Sequence, residues 1–256
     1  MRNYGEKGGK MAEGDRQFVD ALARGLAILE CLSRAHHPIG NRAISEAVGL
    51  APSTVSRLTH TLCVLGYIRP AGSGRAYELT PKNLTLGYPV LAGLSLRDRA
   101  RPHLDSIARE TGETVALAIR DGHYITFVAV EQGTNLVSVR LATGGRLRMQ
   151  VSAAGIALLS AMPEKERRMI AGRLRADLTR RGEPTEPFNA ALDACMAEGV
   201  AVVRNSWREG VGGIAAPITF QGEIAALTIP VATGSVSEAE MRGHLADLLR
   251  REARAF

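Results

Sequence analysis

The chain has 256 residues, 45% of them hydrophobic, enough for one large domain or two modest ones around packed cores. Its 32 Lys and Arg against 26 Asp and Glu leave a net charge of +6, which favours a polyanionic partner without proving one. Residues 1–80 hold 10 basic and 7 acidic side chains, so only local placement can argue for an anion-binding face. No stretch of about 18 apolar residues and no signal-peptide core is present, which argues against a membrane partner and for a cytoplasmic protein. Cys31, Cys63 and Cys195 are widely spaced and form no CxxC pair, so neither a disulfide framework nor a structural zinc is expected.

In chain order, residues 1–16 are polar and glycine-rich and are expected to form a disordered arm. Residues 18–33 carry Val19, Leu22, Leu26, Leu29 and Leu32 at helical spacing, an amphipathic first helix that breaks over 35–38, where His36 and His37 read as loop residues rather than metal ligands. A second helix over 41–48 stops at Gly49. Pro52 and Ser53 open a third, which Gly66 closes. A strand from Tyr67, a 72–74 turn and a strand over 76–79 complete a β-hairpin. Helices around a glycine followed by a hairpin are the layout of a winged helix-turn-helix, assigned here to residues 17–80.

In the third helix Val55, Leu58, Leu62 and Leu65 are expected to pack inward. The opposite face then presents Ser53, Ser56, Arg57 and His60, with Thr54 at the leading end. Hydroxyls suit bases or phosphate, Arg57 can pair bidentately with guanine, and the helix start offers free amides to phosphate. Arg69 and Arg75 beside the glycine turn would add phosphate contacts. Double-stranded DNA is the expected partner. The competing reading is a three-helix fold used for protein contacts, with Ser and Thr as ordinary caps.

Residues 81–97 read as a linker helix that Pro89 should kink or end. Residues 98–256 read as a second domain. It opens with a helix over 97–111 stopped by Gly112, followed by β-rich runs 113–122, 123–133 and 135–145 with a hairpin at Asp121–Gly122. A small-residue helix over 152–161, surface helices over 163–173 and 187–198, three further strands and a last helix capped by Ser237 follow. The fold class is α+β, with a mainly antiparallel sheet flanked by helices.

The order ALARGLAILECL, ISEAVGLAPSTVSRLTHTLCVLGYI and YELT, followed by ARPHLDSIARETGETVALAIRDG, VSAAGIALLSAM and EGVAVVRNSWREGVGGIAAPI, resembles the IclR family of bacterial transcription regulators over residues 18–254. The resemblance implies an operator-binding winged helix, a homodimer or homotetramer, and a C-terminal domain that binds a small organic effector. The family includes repressors and activators, and repression of a catabolic operon is expected here.

The resemblance places the effector between the sheet and residues 143–160. Gly144, Gly145, Met149, Ser152, Ala153, Val203, Trp207, Gly213, Ile214 and Thr228 are the candidates for that site. From the residues alone, Gly144 and Gly145 allow close backbone approach, and the helix start at Ser152 and Ala153 offers amides to a carboxylate. Close helix–sheet packing would want the same small residues. Arg146 and Arg148 either pair with an effector carboxylate or are solvated. The family often has Gly-Lys-Ala in this helix, whereas this chain has Gly155, Ile156 and Ala157. At positions where members that bind small oxoacids carry polar groups, it has Val203, Gly213, Thr228 and Pro230. A less polar wall implies an effector larger than glyoxylate or pyruvate, such as an aromatic acid or an acid derived from a short lactone or ester.

No catalytic motif assembles: GxSxG, Walker, GxGxxG and HExxH are all missing. No catalytic residues, cofactor or metal are therefore expected, and turnover of a lactone or ester is the enzyme reading to be tested against sensing.

Overall fold

The computed structural model describes residues 17–256 apart from His36 and Ser73, so the arm expected over 1–16 lies outside the described residues. The chain divides into two compact units, Met1–Gly93 and Leu94–Phe256.

The first unit contains α1 (Asp20–Arg34), β1 (Ile39–Gly40), α2 (Asn41–Val48), α3 (Pro52–Val64), β2 (Ile68–Ala71) and β3 (Ala76–Leu79). A 3₁₀ turn over Pro81–Asn83 leads into α4 (Leu84–Ala92). Ile28, Leu32, Ile44, Val55, Leu62 and Ile68 form its core. The turn between α2 and α3 depends on Gly49, whose φ of +69° costs a glycine little and any side chain more. There the Ser45 hydroxyl donates to the Leu50 carbonyl, 2.5 Å away. The strands order β1-β3-β2, all antiparallel, with Arg69 opposite Glu78.

Four expectations for this unit and its end need correction. Leu65 does not pack inward: it lies just past the last turn of α3 and is half exposed, while Thr59 takes the buried place between Val55 and Leu62. In α1 the buried side runs through Ile28 and Leu32, leaving Val19, Leu22 and Leu26 in solvent. Pro89 does not end the linker helix. α4 runs through it to Ala92, because the carbonyl that the missing N–H leaves unpaired, that of Thr85, sits on an exposed helix where water can serve it. The linker also ends earlier than expected, since Ser95 already begins the next helix.

The second unit contains α5 (Ser95–Thr111), β4 (Val115–Asp121), β5 (Tyr124–Glu131), β6 (Arg146–Arg148), α6 (Ala153–Ser160), α7 (Glu164–Arg180), α8 (Glu186–Glu198), β7 (Ala201–Arg204), β8 (Val211–Phe220) and β9 (Glu223–Ala232). Its last helix, α9, starts at Glu238–Glu240, passes a π-turn at Met241–Leu245 and continues over Ala246–Ala253. Six antiparallel strands order β6-β5-β4-β9-β8-β7. The Asp-Gly step makes the expected hairpin, with Asp121 paired to Tyr124 and Gly122 at φ +62°.

Alternation along the strands assigns each sheet face its cover. Ala116, Ala118, Ile125, Phe127, Ala215 and Ala226 pack with α6, α7 and α8 in one core. α5 and α9 cover the other face: a Cβ built on Gly213 would meet Ala153 of α6, whereas one on neighbouring Gly212 would meet Met241 of α9. The strand expected within 135–145 does not form. Residues 132–145 run as an irregular segment; Arg146–Arg148 forms the strand beside β5, with Gly144 and Gly145 adding two backbone bonds to Phe127.

Candidate functional sites

α3 presents Ser53, Ser56, Arg57 and His60 to solvent, with Thr54 half-buried at its start. The helix is set by its buried stripe, Val55, Thr59 and Leu62. Thr59 satisfies its hydroxyl by donating to the Val55 carbonyl at 2.9 Å, and it also bonds Asn41 Oδ1 at 3.3 Å, tying α3 to the start of α2. Sequence reading missed Thr59. Its signal was the spacing of four from Val55 and three from Leu62, filled by a residue that can bond back to its own helix.

No side chain caps α3, and Pro52 occupies its first turn. The Ser53 and Thr54 amides therefore have no intrahelical acceptor and point outward, as a phosphate contact requires. Among the described residues Arg57 and Arg75 have no ion-pair partner. Arg69 is tied to Glu78 at 2.7 Å and Arg42 to Glu46 at 3.0 Å. These exposed pairs are weak, but they halve the formal charge of that edge. The wing is braced by contact: a Cβ on Gly40 would lie 2.9 Å from the Arg75 carbonyl oxygen.

In the second unit a cavity of about 40 Å³ opens between β7–β9, the start of α6 and the 132–145 segment. The structure brings together Ser152, Ala153, Val203, Trp207, Gly213 and Thr228 from the expected set, and Pro230 with them. It adds Phe127, Val139, Leu141, Leu147, Val151 and Val211, an apolar wall. None of the lining residues is charged, and each of the three hydroxyls is already engaged. Ser152 Oγ accepts from the Gly155 amide at 3.0 Å, Ser206 donates to the Arg204 carbonyl at 3.3 Å, and Thr228 donates to the Ile214 carbonyl at 3.0 Å. The unpaired donors at this wall are the Ala153 and Ala154 amides in the first turn of α6. Trp207 borders the cavity half exposed, with the Arg208 guanidinium 5.4 Å from its ring centre.

Four expected residues stay outside the cavity lining. The Gly144 amide donates across to the Phe127 carbonyl on β5 at 2.8 Å and the Gly145 amide closes a turn on the Ala142 carbonyl at 2.9 Å, so neither is left for a ligand. Met149 is fully buried in the core beneath α6, where Gly155 packs on its backbone. Ile214 alternates to the opposite sheet face.

Neither Arg146 nor Arg148 lines the cavity: Arg146 stays exposed at the surface, Arg148 is half-buried, and each is held by a carboxylate. Arg146 pairs with Asp121 at 2.6 Å and lies over the Tyr124 ring. Arg148 grips Glu183 bidentately at 2.7 and 3.1 Å. Nearby, buried Asp177 gathers Gln150, Arg180 and Arg181. Among the described residues no set of three His, Cys, Asp or Glu side chains is placed to hold a metal ion, and no helix is long and apolar enough to cross a membrane.

Comparison with known proteins agrees with both units. Residues 21–72 match the model of the IclR helix-turn-helix domain, and residues 89–256 that of the bacterial transcriptional regulator IclR C-terminal domain. The chain is 32% identical over 246 residues to the Pca regulon regulatory protein of Pseudomonas putida, covering 94% of this chain and 84% of that one. It is 29% identical to the transcriptional repressor IclR of Escherichia coli (strain K12) over 58% of this chain and 55% of that protein. The crystal structure of an IclR family transcriptional regulator from Brucella abortus superposes with a TM-score of 0.72 at 30% identity, over 94% of this chain and 92% of that one. The helix-turn-helix unit implies DNA binding and the C-terminal unit small-molecule effector binding, so the protein acts by regulation and not as an enzyme. A winged helix with an open basic face, joined to an effector domain of this topology, makes the chain a member of the IclR family of bacterial transcription regulators.

Proposed function

We propose that the protein is a cytoplasmic repressor of a catabolic operon, released from its operator by an organic acid with an apolar body. The observation that carries the effector class is the cavity wall: it is apolar and its hydroxyls are spent on the protein. A small polar oxoacid would gain little there, whereas an aromatic or branched acid can bury its body and set its carboxylate on the Ala153 and Ala154 amides. About 40 Å³ holds no more than a few waters, so such a ligand enters as the 132–145 segment and the Trp207 loop give way. The relative named a repressor supports the direction of control.

On the DNA side Ser53, Thr54, Ser56, Arg57 and His60 read the major groove, with Arg75 on phosphate and Arg69 sharing its charge with Glu78. The operator is bound by a homodimer. Exposed apolar side chains on both α1 (Leu22 and Leu26) and α4 (Leu84, Leu86, Tyr88 and Val90) support self-association. Leu86→Asp is expected to convert a dimer in sedimentation equilibrium into a monomer; a parent chain that is itself monomeric at micromolar concentration refutes the dimer.

Titration calorimetry of the full chain with 4-hydroxybenzoate, branched-chain acids, pyruvate and glyoxylate tests the effector class. Binding by the larger acids, coupled to release of a promoter fragment in a gel shift, is the expected result. Tight binding of glyoxylate with none of the larger acids refutes it. A bound ligand recovered chemically unchanged separates sensing from turnover.

A further inference from the structure

On the sheet face away from the apolar cavity, a larger polar cavity of about 340 Å³ lies between the end of α5, the start of α9 and the 132–145 segment. Its lining includes Glu110, Glu113, Asn135, Ser235, Glu240 and His244. In a chain of net charge +6 this cavity is lined by three carboxylates and by no lysine or arginine. Arg251 reaches its rim and is spent on Glu110 at 2.7 Å.

Glu113 is the informative member. It is only 4% exposed, in a position where a carboxylate is normally met by donors on both oxygens. Oε1 accepts from Asn135 Nδ2 at 2.9 Å, while Oε2 is buried and has no hydrogen-bond partner. Asn135 gives its amide hydrogens to Glu113 and to the Thr111 carbonyl at 3.3 Å. The Glu240 side chain, on the opposite wall, likewise has no ion-pair partner among the described residues. The cavity thus gathers three carboxylates, and buried Glu113 Oε2 is the acceptor among them that lacks a donor.

We infer that this cavity is a second ligand site and that it takes an organic cation, a guanidinium or alkylammonium group whose N–H donors face Glu113, Asn135 and Glu240. Two observations select that class. The described residues offer no three-residue metal set, and the volume lies in the range of small-molecule sites rather than of a single ion. A guanidinium or ammonium supplies what the wall lacks, several donors carrying one positive charge.

The test is titration calorimetry of the full chain with agmatine and with putrescine. Saturable binding of at least one is expected, weakened about tenfold or more in Glu113→Gln, which replaces an acceptor oxygen by a donor. Glu240→Gln, an exposed change that leaves the bond from the Glu240 amide to Ser237 Oγ in place, is expected to weaken it too. Glu223→Gln, at the distant β8–β9 hairpin, is expected to change nothing. Absence of saturable binding to the parent overturns the inference. So does equal binding by the parent and both cavity variants, or an equal loss in Glu223→Gln, which would mark diffuse charge attraction.

Discussion

Gly155 and Gly213 stand on facing walls beside the apolar cavity, and alanine at each separates packing from ligand recognition. At Gly155 a Cβ would lie 2.3 Å from both the Cα and the carbonyl oxygen of Met149, and 2.7 Å from its carbonyl carbon. Ordinary contact needs about 3.5 Å, so two backbone segments must part by roughly 1 Å at a fully buried position. Overpacking costs about 1–3 kcal/mol, and a clash between main chains belongs at the upper end. For a unit of this size that corresponds to roughly 6–12 °C in the melting temperature.

Gly213 behaves differently. Its added methyl would meet Ala153 Cβ at 3.5 Å and the Ile229 carbonyl oxygen at 3.8 Å, both ordinary contacts. Alanine in a strand is favoured over glycine by about 0.5–1 kcal/mol, so Gly213→Ala should melt no lower than the parent. Its methyl projects into a cavity of only about 40 Å³, so affinity for the effector should fall at least about tenfold. Scanning fluorimetry and calorimetry on the two variants decide the matter. A Gly155→Ala protein that melts with the parent, or a Gly213→Ala protein that binds effector undiminished, would refute this account of the α6–sheet contact.

Other expectations follow from the same geometry. Arg57→Ala should weaken operator binding by about 1–3 kcal/mol without altering the melt, and unchanged gel-shift affinity would remove it from the reading face. Glu78→Gln frees Arg69 from its 2.7 Å partner and should tighten DNA binding at low salt, an effect that fades as salt is added. Asp177→Ala leaves Gln150, Arg181 and Arg180 without their common acceptor and should cost about 3 kcal/mol or more in a urea titration. Burial raises the Cys195 thiol above its ordinary pKa, against the Ser160 hydroxyl, which lowers it. At pH 8 Cys195 should therefore resist a disulfide reagent until the protein unfolds, while half-buried Cys31 and Cys63 react sooner.

Much of the architecture was legible because it is punctuated. Gly49, Pro52 and Gly66 bound α2 and α3, and the Asp121–Gly122 step turns β4 into β5, since few residues tolerate those backbone geometries. Val203, Gly213, Thr228 and Pro230 came from the family resemblance, and they form one wall because alternation keeps them on one face of β7–β9. Gly144 and Gly145 misled, because they do allow close approach, but to Phe127 of β5 and not to the cavity. Residues 135–145 misled in a second way. Their alternating valines and leucines suit a strand, but β5 has only three residues of β6 beside it there, and the segment lies as a cavity wall. Phe127 was overlooked because its role depends on that wall being present.

That segment links two parts of the effector domain that are otherwise separated by the sheet. Thr134 and Asn135 are pinned to the Gly112 carbonyl and Asn135 to Glu113 beside the polar cavity, Val137 lines that cavity, and Val139 and Leu141 line the apolar one. Gln132 fastens the far end by donating to the Leu141 carbonyl at 2.8 Å. Ten residues of chain thus serve as the partition between two compartments. If filling one compartment displaces the partition, thermodynamic reciprocity requires each occupant to change the other's affinity by the same factor. The domain then has the wiring to integrate two chemical signals of opposite charge before either reaches the DNA.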